Sequence, residues 1–168
     1  EQYQAIGSGY LGKIPIPVII LIAVLLLGWF ILNKTRFGRH VLAVGGNEQA
    51  ARVSGINTKL VKITVYIMSG IFSAIAGMII SARVNAGSPT LGTGYENDAI
   101  AAAVIGGTSM MGGQGSMIGT IGGILIIGVM NNGLDLLNVS SYYQQVAKGI
   151  IIIAAVLFDM LSKSRKSK

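Results

Sequence analysis

Uncharged apolar runs alternate along this chain with short basic stretches, and the run lengths match a bilayer rather than a soluble core. Lys62 and Arg83 bracket twenty consecutive uncharged residues, Ile63 to Ala82. As a helix that run extends about 30 Å, the thickness of the hydrocarbon layer. A second run, Ile14 to Leu32, lies between Lys13 and Lys34, and a shorter one, Val146 to Leu161, holds Lys148 and Asp159 near its ends. The uncharged stretch Ala99 to Leu134 is too long for one crossing and is broken by Gly106-Gly107 and Gly112-Gly113-Gln114-Gly115. It divides into a short segment, 99–111, that crosses or re-enters, and a full-length helix, 116–134. Backbone that leaves the helix at membrane depth must be surrounded by protein or line a cavity, so this break belongs inside a bundle. The pattern predicts an all-α polytopic transmembrane helix bundle in one domain. Its spans are 14–32, 63–82, 99–111, 116–134 and 146–161, with a short cytoplasmic helix in the connecting segment 34–62.

Composition narrows the class further. Charged residues make up 11% of the chain, against roughly 25% in soluble domains, which excludes a soluble fold. Glycine supplies 24 of 168 residues. Gly115, Gly119 and Gly123 recur at a spacing that lets helices approach closely, as do Ser69, Ser73 and Gly77. With Gly112 and Gly113 of the break, the first three are the candidate helix-packing glycines.

The net charge of +7 points to no nucleic acid, because its distribution is topological. Ten of the 13 basic residues sit in two segments, Lys34 to Lys62 and Lys163 to Lys168. The positive-inside rule puts both segments, and with them the C-terminus, in the cytoplasm. The 83–98 segment is then external. Its Pro89, Gly87, Gly92 and Gly94 read as loop, carrying Glu96 and Asp98 with it. Both ends of 99–134 therefore face outward. The chain opens on Glu1 rather than Met, and we expect it to be the C-terminal part of a longer chain.

Catalytic chemistry finds no constellation in this pattern. There is no cysteine, and the lone His40 has no partner cluster for a metal. Gly112-Gly113-Gln114-Gly115 lacks the Lys-Ser/Thr of a phosphate-binding loop, so no cofactor site is expected in this chain. Asp135 and Asp159 fall at span ends, where neither suits an intramembrane proton carrier. A transport or structural role is left, not an enzyme.

The informative hydrophilic stretch is Gly45-Gly46-Asn47-Glu48-Gln49-Ala50-Ala51-Arg52-Val53-Ser54-Gly55-Ile56. Asn47 suits an N-cap, Glu48 the positive end of the helix dipole, and Gly55 a left-handed C-terminal position. A helix of two turns does not hold itself in water, so it packs on its own bundle or on another protein. The Ala-Ala pair followed four residues later by Gly, in a basic cytoplasmic segment, resembles the coupling-helix motif of ABC importer permeases. RFGRHVLAVGGNEQAARVSGI, NDAIAAAVIGGTSMMGGQGSMIGT and NNGLDLLNVSSYYQQVAKG resemble, in the same order, the ribose and related monosaccharide permeases of that class. One departure is that Gln49 separates Glu48 from the Ala pair.

The resemblance implies a permease in the bacterial inner membrane that pairs with a second permease copy. It also implies a cytoplasmic ABC ATPase, which would bind the ATP and magnesium, and an external sugar-binding protein. Glu48, Ala50, Ala51, Arg52 and Gly55 are then the ATPase-coupling interface. Thr108, Ser109, Asn131 and Asn132 are candidates for lining the sugar path, their small hydroxyl and amide groups suiting a neutral solute. The alternative is a secondary transporter or channel subunit for a small polar solute, in which broken helices also line the substrate site. A purely structural membrane scaffold accounts for the glycine stripes but not for the capped cytoplasmic helix.

Overall fold

The computed structural model describes residues 2–166, with side chains over 3–157. It divides into two compact units, one of residues 1–44 and 48–93, the other of residues 45–47 and 94–168. Eight helices and one small hairpin make up the described residues.

The first unit opens with α1 (Gln2–Ser8) and the antiparallel pair β1 (Tyr10–Leu11) and β2 (Ile14–Pro15), turned at Gly12. None of these is signalled by the apolar runs. α1 packs on α5 (Thr58–Val84). Gly7 lies so close to the Ala82–Arg83 backbone that a side chain would not fit, and the Tyr3 hydroxyl donates to the Met78 carbonyl.

α2 (Ile16–Lys34) starts at Pro15 and carries Pro17 in its first turn, where a missing N–H costs nothing. It is apolar all round and buries no residue within the unit, the surface expected of a helix whose solvent is lipid or further helices. Lys34 lies over the Trp29 ring at 5.4 Å, a cation held at the polar end of the helix. The chain then turns through Thr35. Its hydroxyl donates to the Ile31 carbonyl at 2.6 Å and accepts from the Gly38 N–H at 3.1 Å.

The segment expected to be mostly connection contains a second helix, α3 (Arg36–Gly46), before the short α4 (Glu48–Val53). The α3 pattern is amphipathic, with Phe37, Val41 and Val44 at helical spacing. Val44 is buried with Ala51 and Val61, and Phe37, Val41 and Ile56 pack around them. Asn57 caps α5 by accepting from Leu60 N–H at 3.1 Å, and Asn85, at φ 52°, ends it. The 27 residues of α5 make it about 40 Å long.

In the second unit α6 (Tyr95–Ile105) and α7 (Met117–Leu136) form an antiparallel hairpin, and α8 (Ser141–Lys166) packs on α6. The core is small: Ala101, Ala102 and Ile127 are buried, with Ile105, Met130 and Ile152 against them. α6 begins at Tyr95, so Glu96 and Asp98 lie in its first turn and not in the external loop assigned to them above. The Glu96 carboxylate accepts from the Gly94 N–H at 3.1 Å, which satisfies a first-turn donor and sets the helix start. Among the described residues three helices, α2, α5 and α7, are long and apolar enough to cross a membrane, and α8 has a shorter apolar stretch, Ser141–Leu157. Asp159 lies outside the residues whose side chains are described.

Candidate functional site

Two places in the structure bring chemistry-bearing residues together, one in each unit. In the first, α4 ends as its sequence requires. Gly55 has φ +84°, and the chain is tied back by Ser54 N–H to the Ala50 carbonyl at 3.0 Å and Ile56 N–H to the Ala51 carbonyl at 3.1 Å. A β-carbon at Gly55 would meet no atom within 4 Å, so the restriction there is backbone conformation alone.

The helix is held from both sides. Ala51, 5% exposed, plugs into the Val44–Val61 cluster. On the outer side the Lys62 ammonium lies 2.6 Å from the Glu48 carboxylate. The hydrogen bond from Lys62 holds the Glu48 carboxyl below the ordinary glutamate range against opposing desolvation, with the Lys62 charge, Thr58 and Arg52 adding to the lowering. A depressed carboxylate pKa means the clasp is intact at neutral pH and is lost only as pH falls through the lowered value.

Of the expected coupling residues, Glu48, Ala50, Arg52 and Gly55 are exposed, whereas Ala51 turns inward. Ala51 is therefore an anchor of the helix and not part of its outer face. Val53 is 85% exposed on a helix outside the apolar spans. With Ala50 three residues earlier, it forms a small apolar patch on α4 beside the exposed Gln49 and Arg52.

In the second unit the candidate glycines sit at backbone crossings. A β-carbon at Gly119 would collide with the Gly106 carbonyl, and one at Gly123 with the Ala102 carbonyl. Gly112, at φ +85°, abuts Gly45, and a β-carbon on Gly45 would lie 2.9 Å from Gly113 N. Gly115 is looser, with only the Thr108 side chain near it at 3.8 Å. The Ser69–Ser73–Gly77 stripe differs: Gly70 and Gly77 have nothing within 4 Å, so that face of α5 makes no close crossing within the described residues.

The four path candidates are not brought into one site. Thr108 and Ser109 lie in the turn after α6, while Asn131 and Asn132 lie near the far end of α7, about 18 Å along the helix from Gly119. Ser109 is 7% exposed; its hydroxyl oxygen accepts from Met111 N–H at 3.2 Å and its own N–H donates to the Gln114 carbonyl at 3.1 Å. Its polar atoms build the turn. Asn132 is exposed.

Asn131 donates its amide to Asp98 Oδ2 at 2.9 Å, and Lys148 of α8 lies 2.7 Å from Asp98 Oδ1. Sequence reasoning missed this cluster because the glycines before Tyr95 read as a loop through residue 98. The signal available was helical spacing, Asp98–Ala101–Ala102–Ile105, together with a lysine inside an otherwise apolar run. Among the described residues no group of His, Cys, Asp and Glu could hold a metal ion.

These features define a polytopic helical protein of membrane-spanning character with a glycine-packed helix hairpin. The chain belongs to the branched-chain amino acid transport system / permease component family, whose pattern matches residues 3–156. That family is one of permease components, and three of the described helices are long and apolar enough to cross a membrane. Among curated proteins the chain is similar to the ribose import permease protein RbsC of Bacillus subtilis (strain 168), 51% identical over 157 residues, covering 94% of this chain and 49% of the relative. It is also similar to the xylose transport system permease protein XylH of Haemophilus influenzae, 48% identical over 152 residues (90% of this chain, 40% of the relative). The L-arabinose transport system permease protein AraH of Escherichia coli (strain K12) is 42% identical over 166 residues (99% and 51%). The chain thus spans about half the length of the curated relatives it matches. No solved structure matches it.

Proposed function

We propose that the protein containing this chain is the membrane permease subunit of an ATP-driven ABC importer for ribose or a similar monosaccharide. Sugar would be delivered by an external binding protein and ATP hydrolysed by a cytoplasmic ATPase. The observation that carries this reading is the 51% identity over 157 residues to a protein named as a ribose import permease. Energy would enter at the outer face of α4, from an ATPase that holds the ATP and magnesium, and a second permease copy would complete the pathway. The basic segment 34–62 and the C-terminus would face the cytoplasm.

Deletion of the gene is expected to abolish uptake of labelled ribose, and the full-length protein to restore it. Unchanged ribose uptake after deletion, with xylose and arabinose also unaffected, would sink the assignment. The secondary-transporter reading gains one observation, the Asp98–Lys148 pair, since intramembrane ionisable residues mark ion-coupled pathways. Proteoliposomes separate the two: the importer needs ATP and binding protein and ignores an imposed pH gradient, whereas a coupled carrier runs on the gradient alone.

Orientation has its own test. Cysteine at Gln49 is expected to stay unlabelled by a membrane-impermeant thiol reagent in intact cells, and cysteine at Gly87 to react. Both positions are exposed, and the chain has no native cysteine to confuse the result. Labelling of position 49 from outside would reverse the topology.

A further inference from the structure

Asp98, Asn131 and Lys148 come from three different helices and meet near the end of the hairpin where α6 starts and α7 stops. Asn131 lies about 8 Å along α7 from its last residue, Leu136, and Lys148 about 10 Å into α8 from Ser141. The Asp98 and Lys148 side chains are 19% and 13% exposed. A lysine at this position ordinarily extends its stem toward the polar interface; here it is turned onto a carboxylate.

The cluster is electrically closed but not satisfied as hydrogen bonding. Asp98 Oδ1 has Lys148 as its ion partner without a directed hydrogen bond, and Asn131 Oδ1 is buried with no donor at all. The amide orientation follows from its neighbour. Only the Nδ2 side of Asn131 can face the Asp98 carboxylate at 2.9 Å, since an oxygen there would meet another oxygen. Asp98 therefore forces Asn131 to present a bare acceptor. Buried acceptors without donors are uncommon and unfavourable, and they call for a partner.

Charge balance and donor demand define that partner. Asp98 and Lys148 already neutralise each other, so an added anion would face Asp98 and an added cation Lys148. The two waiting oxygens accept and do not donate. What fits is a neutral molecule bearing hydroxyl hydrogens at neighbouring positions.

We propose that Asp98 Oδ1 and Asn131 Oδ1, poised by Lys148, form a subsite between α6, α7 and α8 that accepts hydroxyl hydrogens of a neutral polyhydroxylated solute and so takes part in choosing what passes. This deepens the functional reading above and rests on it. Both oxygens are covered in the structure, and they become reachable when α8 parts from the α6–α7 hairpin. The hairpin has backbone-to-backbone glycine crossings, whereas α8 is fastened to it by the ion pair and the Ile152 contact. α8 is thus the element whose parting would uncover them.

The test uses the full-length permease with its ATPase and binding protein in proteoliposomes. Uptake of ribose, 2-deoxyribose and 3-deoxyribose is measured at saturating binding protein, and each variant's ribose-to-deoxy ratio is divided by the wild-type ratio. The binding protein's own preference cancels in that quotient. Asn131→Leu is expected to lower ribose uptake about tenfold while leaving one deoxy analogue nearly unchanged, so that discrimination disappears. Asn131→Ser, which keeps a small acceptor, is expected to retain it.

Identical ratios in wild type and the Leu variant, at normal membrane levels, would overturn the proposal, since a water molecule or nothing would then fill the acceptors. Failure of both Asn131 variants to reach the membrane would overturn it equally, because the cluster is then a folding staple. Absence of uptake of any of the three sugars by wild type would defeat the functional reading itself, and this inference with it.

Discussion

Leucine at Gly119 or Gly123 is expected to reduce the amount of permease in the membrane about tenfold or more, while leucine at Gly128 leaves it within about twofold of wild type. The difference is one of neighbours, since all three glycines lie in α7. At Gly119 and Gly123 the missing β-carbon would occupy the space of the Gly106 and Ala102 carbonyls, and backbone cannot rotate aside as a side chain can. At Gly128 there is nothing within 4 Å. Overpacking a tight contact costs about 1–3 kcal/mol, and a backbone neighbour places these two sites at the upper end. In a bilayer such close crossings are a principal source of helix association, because apolar burial drives little between helices already in lipid. Immunoblots of the membrane fraction, with unfolding midpoints in detergent, measure the effect. Wild-type levels and midpoints in both variants would mean that α6 and α7 do not cross at these glycines.

That hairpin shows how far the sequence could be read. The lengths of the apolar runs announce the long helices because lipid imposes one constraint, about 20 uncharged residues, that sequence displays directly. The Gly115–Gly119–Gly123 spacing announces a close crossing, but not its partner. Gly106 and Ala102 emerge only when the chain folds back, since nothing local encodes which backbone lies opposite. The same stripe in α5 shows the limit: Ser69, Ser73 and Gly77 have the spacing, yet neither Gly70 nor Gly77 has a neighbour within the described residues.

The N-terminal pieces, α1 and the Gly12 hairpin, were not legible, since they are short and their order comes from packing on α5 rather than from their own pattern. α3 was hidden for another reason. Its basic residues dominate the reading of 34–62 as a connection, although Phe37, Val41 and Val44 already trace one helical face. The Asp98 cluster was masked by charge. A carboxylate next to a glycine-rich stretch reads as exposed loop, and only tertiary structure reveals that Lys148 arrives from α8 to neutralise it. Likewise an Ala-Ala pair cannot declare which alanine faces inward, and the structure turns Ala51 to the core and Ala50 outward.

Ala50→Arg and Val53→Asp are expected to leave the permease in the membrane at normal levels yet abolish co-purification of the ATPase and sugar-stimulated ATP hydrolysis. α4 has six residues, too few to persist by itself. It is held by buried Ala51 beneath and by the Lys62–Glu48 clasp at its start. Neither support involves Ala50 or Val53, so changing them spares the helix. Their side chains form an exposed, small and apolar patch, and Val53 is 85% exposed on a helix of a segment proposed to be cytoplasmic. A large or charged group there blocks a partner's close approach and leaves the chain's own packing untouched. Ala51→Arg is expected to act differently, forcing a guanidinium into the Val44–Val61 cluster and lowering the membrane level itself. Gly55→Val lies between these outcomes. No atom stands in the way of the new side chain, but φ +84° strains a β-branched residue by about 1–2 kcal/mol, which tilts the helix end without unfolding the bundle. Membrane immunoblots beside ATPase pull-downs for the four variants separate anchor from interface. Normal ATPase association in both Ala50→Arg and Val53→Asp would place the coupling surface elsewhere on the cytoplasmic side and leave α4 as packing alone.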